Sequence, residues 1–158
     1  MAEIPARANI RPRDLEWLAH ALKLSEEFSP TPALESLLDN LPTLILETWP
    51  ARKDVVQEGA PGEDFFVVYK GEMSVWRRAG KAAAREVGKL QPGDFFGEIG
   101  FLMKSSRSAT VRTESACRIF RFSARDFHKV LERYKLLDLW VKRVACERIA
   151  KIFQENGH

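Results

Sequence analysis

The residues best suited to do chemistry lie in one run, Gly93 to Val111, GDFFGEIGFLMKSSRSATV. Gly97 lets the backbone turn closely, and a short helix starting near Glu98 gathers unpaired amides at one point, a good place for an anion. Arg107 adds a forked, charge-assisted contact to the same anion. A carboxylate repels a phosphate, so Glu98 makes sense only if it faces hydroxyl donors elsewhere on the ligand, such as a ribose. An anion beside a sugar implies a nucleotide. The competing reading joins Glu98 and Arg107 in an internal ion pair at a loop mouth, the common fate of opposite charges.

Other chemistries lack their residues. A metal site on a jelly roll needs clustered histidines and a carboxylate on neighbouring strands, and His20, His128 and His158 all fall outside the predicted strands. No paired carboxylates or Cys/His dyad stand at suggestive spacing, and the glycine-rich run lacks the G-x-x-x-x-G-K-[ST] order of an NTP loop. The expectation is a binding protein, not an enzyme, with no metal and no cofactor. Cys117 and Cys146 are too few and too far apart for a disulfide framework, and each reads as a free, buried thiol.

The elements that position this run are legible from periodicity. A chain of 158 residues suits one folded domain. Residues 1–42 read as a helical segment: Pro12 opens a helix with Leu15, Leu18, Ala19 and Leu22 on one face, and Thr31 with Pro32 opens a second, whose stripe is Leu34, Leu37, Leu38 and Leu41. Residues 43–122 read as a β-roll holding the 93–111 run. Strands are expected at 43–49, 54–57, 65–69, 73–77, 85–90, 109–113 and 117–122. Residues 123–158 return to helical period, with Ser123 and Asp126 at capping spacing ahead of Phe127, Val130, Leu131 and Tyr134. A longer helix carries Leu137, Val141, Ala145, Ile149 and Ile152. The fold class is therefore α+β, a β-roll or jelly-roll sandwich flanked by N-terminal and C-terminal helices.

Lysine and arginine number 25 against 22 acidic residues, a net +3 too mild to argue for direct nucleic-acid binding. The closing helix is locally basic, with six basic and two acidic residues between Arg133 and Lys151, which reads as a solvated or dimer-flanking face. No apolar run approaches the roughly 20 residues of a membrane helix, and there is no signal-peptide core. A cytoplasmic protein without a membrane contact is expected.

The run Phe96-Gly97-Glu98-Ile99-Gly100-Phe101-Leu102, followed by Arg107-Ser108-Ala109-Thr110-Val111, resembles the phosphate-binding cassette of cyclic nucleotide-binding domains, as in catabolite activator protein, protein kinase A regulatory subunits and cyclic nucleotide-gated channels. Val56-Gln57-Glu58-Gly59, Phe66-Val67-Val68 and Gly71-Glu72 resemble that family's strand and turn positions. The resemblance implies cAMP, possibly cGMP, as ligand. It places the cyclic phosphate on Arg107 and the ribose 2′-hydroxyl on Glu98, with backbone amides around Gly97, Ile99 and Ser108 closing the cradle and Ala109 beside them. Two positions depart from the commoner pattern: Ser106 stands where many members have proline, and Gly100 where many have alanine. Trp140 is a candidate cover for the purine, against the commoner reading of an aromatic packed on an amphipathic helix.

The function expected is that of a regulatory sensor domain whose C-terminal helices move when ligand binds, hinged near Tyr134-Lys135, with the apolar residues after Glu98 leaning on the Phe127, Val130, Leu131 and Tyr134 face. A degenerate fold serving as a protein-interaction scaffold, or the sensory fragment of a transcription regulator, are the alternatives. The stretch past Ile152 leaves no room for a winged helix-turn-helix. The stripe from Leu137 to Ile152 is expected to pair with a second copy in a homodimer, or with an output domain or partner protein; the rival arrangement folds it over the sandwich in a monomer.

Overall fold

The computed structural model describes residues 6–24 and 41–156. One sheet runs in the order β1 (Ala6–Ala8), β2 (Ile45–Trp49), β9 (Cys117–Phe122), β4 (Phe65–Lys70), β7 (Phe95–Phe96). The other runs β3 (Asp54–Val56), β8 (Thr110–Thr113), β5 (Met73–Arg77), β6 (Arg85–Leu90). Every pairing in both is antiparallel. The architecture is the expected α+β sandwich with flanking helices.

β4 shows why the layers form. Phe65, Phe66, Val67 and Val68 are all buried, because successive side chains point to opposite faces and both faces of this sheet are covered. Phe66 and Val68 pack between the sheets with Met73, Val111 and Ile119. Phe65 and Val67 face the helices with Phe120, Phe122 and Phe127. The Phe65 ring stacks on Phe127 at 3.7 Å between centroids, and each such fully buried side chain contributes about 1.5–3 kcal/mol.

The seven expected strands are present with ends moved by at most two residues. Two further strands were not expected. β1 carries no β-branched or aromatic residue and exists because it pairs with the edge of β2, Ala6 opposite Thr48. β7 is two residues long, held by pairing Phe66 with Phe96 and by the parallel stack of their rings at 4.7 Å. The segment 1–42 is thus not wholly helical.

α1 (Pro12–Ala21) buries Leu15, Leu18 and Ala19 as its spacing implies. Its Asp14 is fully buried, accepting hydrogen bonds from the Tyr69 hydroxyl at 2.6 Å and the Arg11 amide at 2.8 Å. Burial alone would raise the Asp14 pKa, yet the Tyr69 and Arg11 donors together hold it below the ordinary 3.8. Because the folded-state pKa is depressed, the stabilisation is present at neutral pH and is lost as pH falls through that lowered value. Tyr69→Phe is expected to cost about 1–3 kcal/mol at neutral pH by orphaning a buried acceptor. Urea unfolding of the variant and wild type, at neutral pH and at acid pH, should show the gap narrowing as Asp14 protonates; a constant gap would refute this origin. The second N-terminal helix expected from Thr31 lies outside the described residues except for Leu41, which is buried.

α2 (Glu98–Met103) belongs to the candidate site. α3 (Ala124–Arg133) starts as the capping spacing implies, with the Ser123 hydroxyl accepting from the Asp126 amide at 3.2 Å. It ends at Tyr134, whose extended backbone breaks the helix before α4 (Lys135–Asn156) begins. Phe127, Val130, Leu131 and Tyr134 are buried together, as expected.

The structure corrects two expectations about α4 and the thiols. Leu137, Val141 and Ala145 are at most 3% exposed inside this chain's own core, so the stripe expected to meet a second copy is already covered along its first half. The break at Tyr134 turns α4 back onto the sandwich, which the linear pattern does not reveal. Cys117 is buried between the sheets, but Cys146 is exposed, because its position on α4 faces away from that core. Among the described residues no helix is long and apolar enough to cross a membrane, and no group of three potential metal ligands gathers.

Candidate functional site

The chain leaves β7 at Gly97, whose φ of +91° lies where only glycine is comfortable. A Cβ there would sit 2.5 Å from the Asp64 carbonyl oxygen. From this turn α2 begins, and by helix geometry its first amides have no intrahelical acceptor.

Arg107 approaches the same turn from the other side. Its backbone is fixed by two hydrogen bonds to the 57–62 turn, its amide to the Ala60 carbonyl and the Gly59 amide to its own carbonyl, each 2.8 Å. Its Nη1 donates to the carbonyl oxygens of Asp64 at 3.0 Å and Gly97 at 3.4 Å. The guanidinium lies against the Phe66 ring, 5.5 Å from its centroid. Cβ atoms on Gly62 and Gly100 would stand 2.7 Å and 3.2 Å from it, so side chains smaller than alanine make its room. At Gly100 an alanine Cβ would also meet the Gly62 carbonyl oxygen at 2.6 Å, which is a local reason for glycine at that departure from the commoner pattern.

The electrostatics of Arg107 are unusual. It is 7% exposed, and among the described residues no carboxylate oxygen comes within 4.0 Å of it. Burial lowers its pKa from the ordinary value, against the raising pull of Asp64, and the guanidinium stays cationic at neutral pH. A buried cation satisfied only by carbonyl dipoles bears a desolvation cost that an anion would offset.

Glu98 is 2% exposed and its ion-pair partner is not Arg107. Its Oε1 accepts from Arg148 Nη1 at 2.6 Å, and the same nitrogen donates to the Phe95 carbonyl at 2.9 Å. The internal pair weighed for Glu98 and Arg107 is therefore replaced by one between Glu98 and α4. Two further contacts bind α4 to this end of the roll: Lys151 Nζ to the Val87 carbonyl at 3.2 Å, and an Arg77–Glu155 ion pair.

Gly97, Glu98, Ile99, Arg107, Ser108 and Ala109 all line one cavity of about 200 Å³. That is more than ten times the roughly 10–15 Å³ that houses one water. Val75, Val87, Leu90 and Val111 supply much of its apolar lining, and its charged side chains are Glu98, Arg107, Arg148 and Lys151 with Arg77 and Lys89 from the strands. Such a cavity, apolar with a few convergent polar groups, suits a small amphipathic anion. The Ser108 carbonyl accepts from Arg77 Nε at 3.2 Å, which fastens the strand leading into β8.

Trp140 is not part of this cavity. Its ring meets Phe95 edge-on at 5.1 Å, with the Lys23 ammonium 4.7 Å from its centroid. The lid role considered for it is corrected: packing holds it, and the residues α4 sends to the cavity are Arg148 and Lys151, one and two turns beyond the end of the buried stripe. Their basic character alone assigns these two to a solvated face. The signal for Arg148 is its register, since it continues the Leu137, Val141, Ala145 series on the core-facing side of the helix.

The apolar residues after Glu98 divide as their register requires. Ile99 lines the cavity, Phe101 is buried edge-on against Phe127 at 5.1 Å, Leu102 packs on the same core, and Met103 is 62% exposed. One short helix thus touches both the cavity and α3.

A family model described as the cyclic nucleotide-binding domain matches residues 46–134. The human potassium/sodium hyperpolarization-activated cyclic nucleotide-gated channel 1 is 32% identical over 103 residues, 65% of this chain and 11% of that protein. The chain therefore spans only about a tenth of the length of the curated relatives it matches. A cyclic nucleotide-binding domain from Methylobacillus flagellatus shares the fold with a TM-score of 0.75 at 14% identity, over 95% of this chain and 86% of that one. The regulatory domain of Toxoplasma gondii PKA, solved with cAMP, aligns with a TM-score of 0.64 at 24% identity, over 77% of this chain and 46% of that one.

Proposed function

The chain belongs to the cyclic nucleotide-binding domain family, and we propose that it is a regulatory sensor that binds a cyclic mononucleotide, cAMP in preference to cGMP, and signals through α3 and α4. The observation that carries this reading is Arg107, a buried cation without a carboxylate partner among the described residues, on the wall of a cavity that also holds Glu98. In this reading the phosphate pairs with Arg107 and with amides at the start of α2, and the ribose hydroxyl donates to Glu98. Arg148 competes for that same carboxylate. Ligand that takes Glu98 frees or redirects Arg148, and with it the helix that Arg148 anchors.

A second route runs through α2. Drawing Gly97 and Arg107 onto one phosphate shifts Phe101 against Phe127, and the break at Tyr134 is the joint about which α4 turns. Ligand drives this only through its different affinity for the two positions, so a coupling of about 1–3 kcal/mol is expected. No catalytic step is assigned to these residues. The output is met through α4, either a second copy of this chain or a partner protein or domain, and an exposed thiol at Cys146 accords with the reducing cytoplasm, where we place the chain.

Calorimetric titration with cAMP and cGMP in parallel tests the reading. Saturable binding with cAMP the tighter ligand is expected, together with altered hydrogen exchange between Phe127 and Ile152. Tighter cGMP binding reverses the base preference alone. No binding of either nucleotide at millimolar concentration sinks the sensor and leaves a fold that serves as a scaffold.

A further inference from the structure

Arg121 stands where the alternation of β9 calls for an apolar residue. Cys117 and Ile119 precede it in the row that faces the other sheet, and both are buried in the core between the sheets. Its cross-strand neighbours are Ile45 on β2 and Phe66 on β4. Two carboxylates hold its charge at this end of the row. Arg121 Nη1 donates to Glu47 at 3.2 Å, and Nε donates to Asp64 at 2.7 Å. Glu47 is 2% exposed, and its other oxygen accepts from the Trp49 indole at 3.1 Å, so this carboxylate fixes the arginine from the β2 side. Burial works against the Arg121 charge, yet Asp64 and Glu47 together hold its pKa above the ordinary value.

Asp64 joins this cluster to the anion site. Its carbonyl oxygen accepts from Arg107 Nη1 at 3.0 Å, while its carboxylate is taken by Arg121. Both guanidiniums approach one ring: Arg107 Cζ lies 5.5 Å from the Phe66 centroid and Arg121 Cζ 5.4 Å from it. Among the charges acting on Arg107, Asp64 is the strongest that favours the cation, and Arg121 opposes it.

We propose that Arg121 is a positioning residue for the anion site, one that holds the Asp64 carboxylate off Arg107 and so keeps that guanidinium free for a phosphate. The inference rests on the reading of Arg107 as the phosphate's partner. Because the carbonyl of Asp64 already meets Arg107, a change of the Asp64 rotamer carries its carboxylate from one arginine to the other. A carboxylate on Arg107 satisfies the buried cation from within, and an incoming anion must first displace it. Arg121 takes that carboxylate through a short charge-assisted bond, and Glu47 anchors Arg121 so that the bond persists. A role confined to satisfying Glu47 gives no link between Arg121 and Arg107.

Double-mutant cycles test this with and without nucleotide. Arg121→Gln alone strands the buried Glu47 charge and endangers the fold. It is therefore made together with Glu47→Gln, which removes that charge and leaves two amides able to hydrogen-bond. In this double variant cAMP is expected to bind about tenfold more weakly, and adding Asp64→Asn should restore most of the loss. The same Asp64→Asn change should gain less in the otherwise wild-type chain, where Arg121 already holds the carboxylate. An equal gain in both backgrounds, or wild-type affinity in the double variant, overturns the proposal. Urea unfolding of the nucleotide-free protein reads the same link without any ligand. There Arg107→Ala should lower the urea midpoint of the double variant, because it removes the partner that Asp64 has gained, and should not lower it in wild type. A shift of the same sign and size in both backgrounds overturns the positioning role. Wild type that binds no cyclic nucleotide, alongside the expected unfolding shift, refutes the ligand and leaves the link from Arg121 through Asp64 to Arg107 standing.

Discussion

Arg107→Ala is expected to bind cAMP more weakly by about 2–5 kcal/mol, the usual loss when one partner of a desolvated charge pair is removed. That corresponds to roughly thirty-fold to several-thousand-fold in dissociation constant. The size follows from the surroundings. Arg107 is 7% exposed, so a phosphate there meets an already desolvated cation whose fork is aimed by the Asp64 and Gly97 carbonyls. The same surroundings imply a second, opposite effect. Without a nearby anion the cation bears its desolvation cost uncompensated, so removing it from the nucleotide-free protein should leave stability unchanged or raised. Arg107→Lys keeps the charge but loses the fork, and should fall between wild type and alanine. Calorimetry alongside urea unfolding separates the cases. Affinity within twofold of wild type in Arg107→Ala would place the phosphate elsewhere, and affinity lost together with the fold would make Arg107 a structural residue.

Removing Arg148 is expected to have the opposite profile. Its partner Glu98 is a buried carboxylate, and stripping one member from a buried pair costs about 3–5 kcal/mol. The Arg148 side chain is 32% exposed, so water reaches part of the site and about 2–3 kcal/mol is the expected loss of stability in the nucleotide-free protein. α4 should then exchange its amides faster between Val144 and Glu155, where the four polar contacts to the roll are concentrated. Bound nucleotide offers Glu98 a hydroxyl donor in place of the guanidinium, so the stability deficit of Arg148→Ala should shrink at saturation. By linkage that means tighter nucleotide binding in the variant than in wild type. A double-mutant cycle with Glu98→Gln isolates the pair. If Arg148→Ala unfolds at the wild-type urea midpoint and its α4 exchanges at wild-type rates, the pair does not hold the helix and the competition for Glu98 plays no part in signalling.

How much of this site is legible in the sequence follows from how far apart the contributing residues lie. The cassette is contiguous. Gly97, Glu98 and Ile99 sit at a single turn and helix start, and Arg107, Ser108 and Ala109 arrive a few residues later at the head of a strand, so residue types and short-range spacing nearly determine their arrangement. They do line one cavity. The capped start of α3 is readable for the same reason, since Ser123 and Asp126 are three apart and the bond closes within one turn. Seven strands are readable because alternation and β-branched or aromatic content reflect a backbone period of two, whatever lies across the sheet.

What the linear pattern misjudges depends on which distant segments meet. β1 is a strand because β2 offers an edge, not because Ala6-Arg7-Ala8 favours one. Trp140 and Arg148 both sit on α4, and periodicity alone does not say which of them reaches the cavity. The turn at Tyr134 sets how far along the roll each residue lies, placing the tryptophan over Phe95 and the arginine on Glu98, fifty residues away in sequence. The same docking covers Leu137, Val141 and Ala145 and leaves Leu139, Cys146 and Phe153 outside. From the sequence alone, then, come the residues of the proposed ligand cradle and the elements that carry them, because those rest on local backbone geometry. Only the tertiary structure decides what Glu98 pairs with, which residues of the closing helix face the cavity and which face solvent, because those contacts join segments whose meeting is set by packing of the whole core and not by any short-range preference.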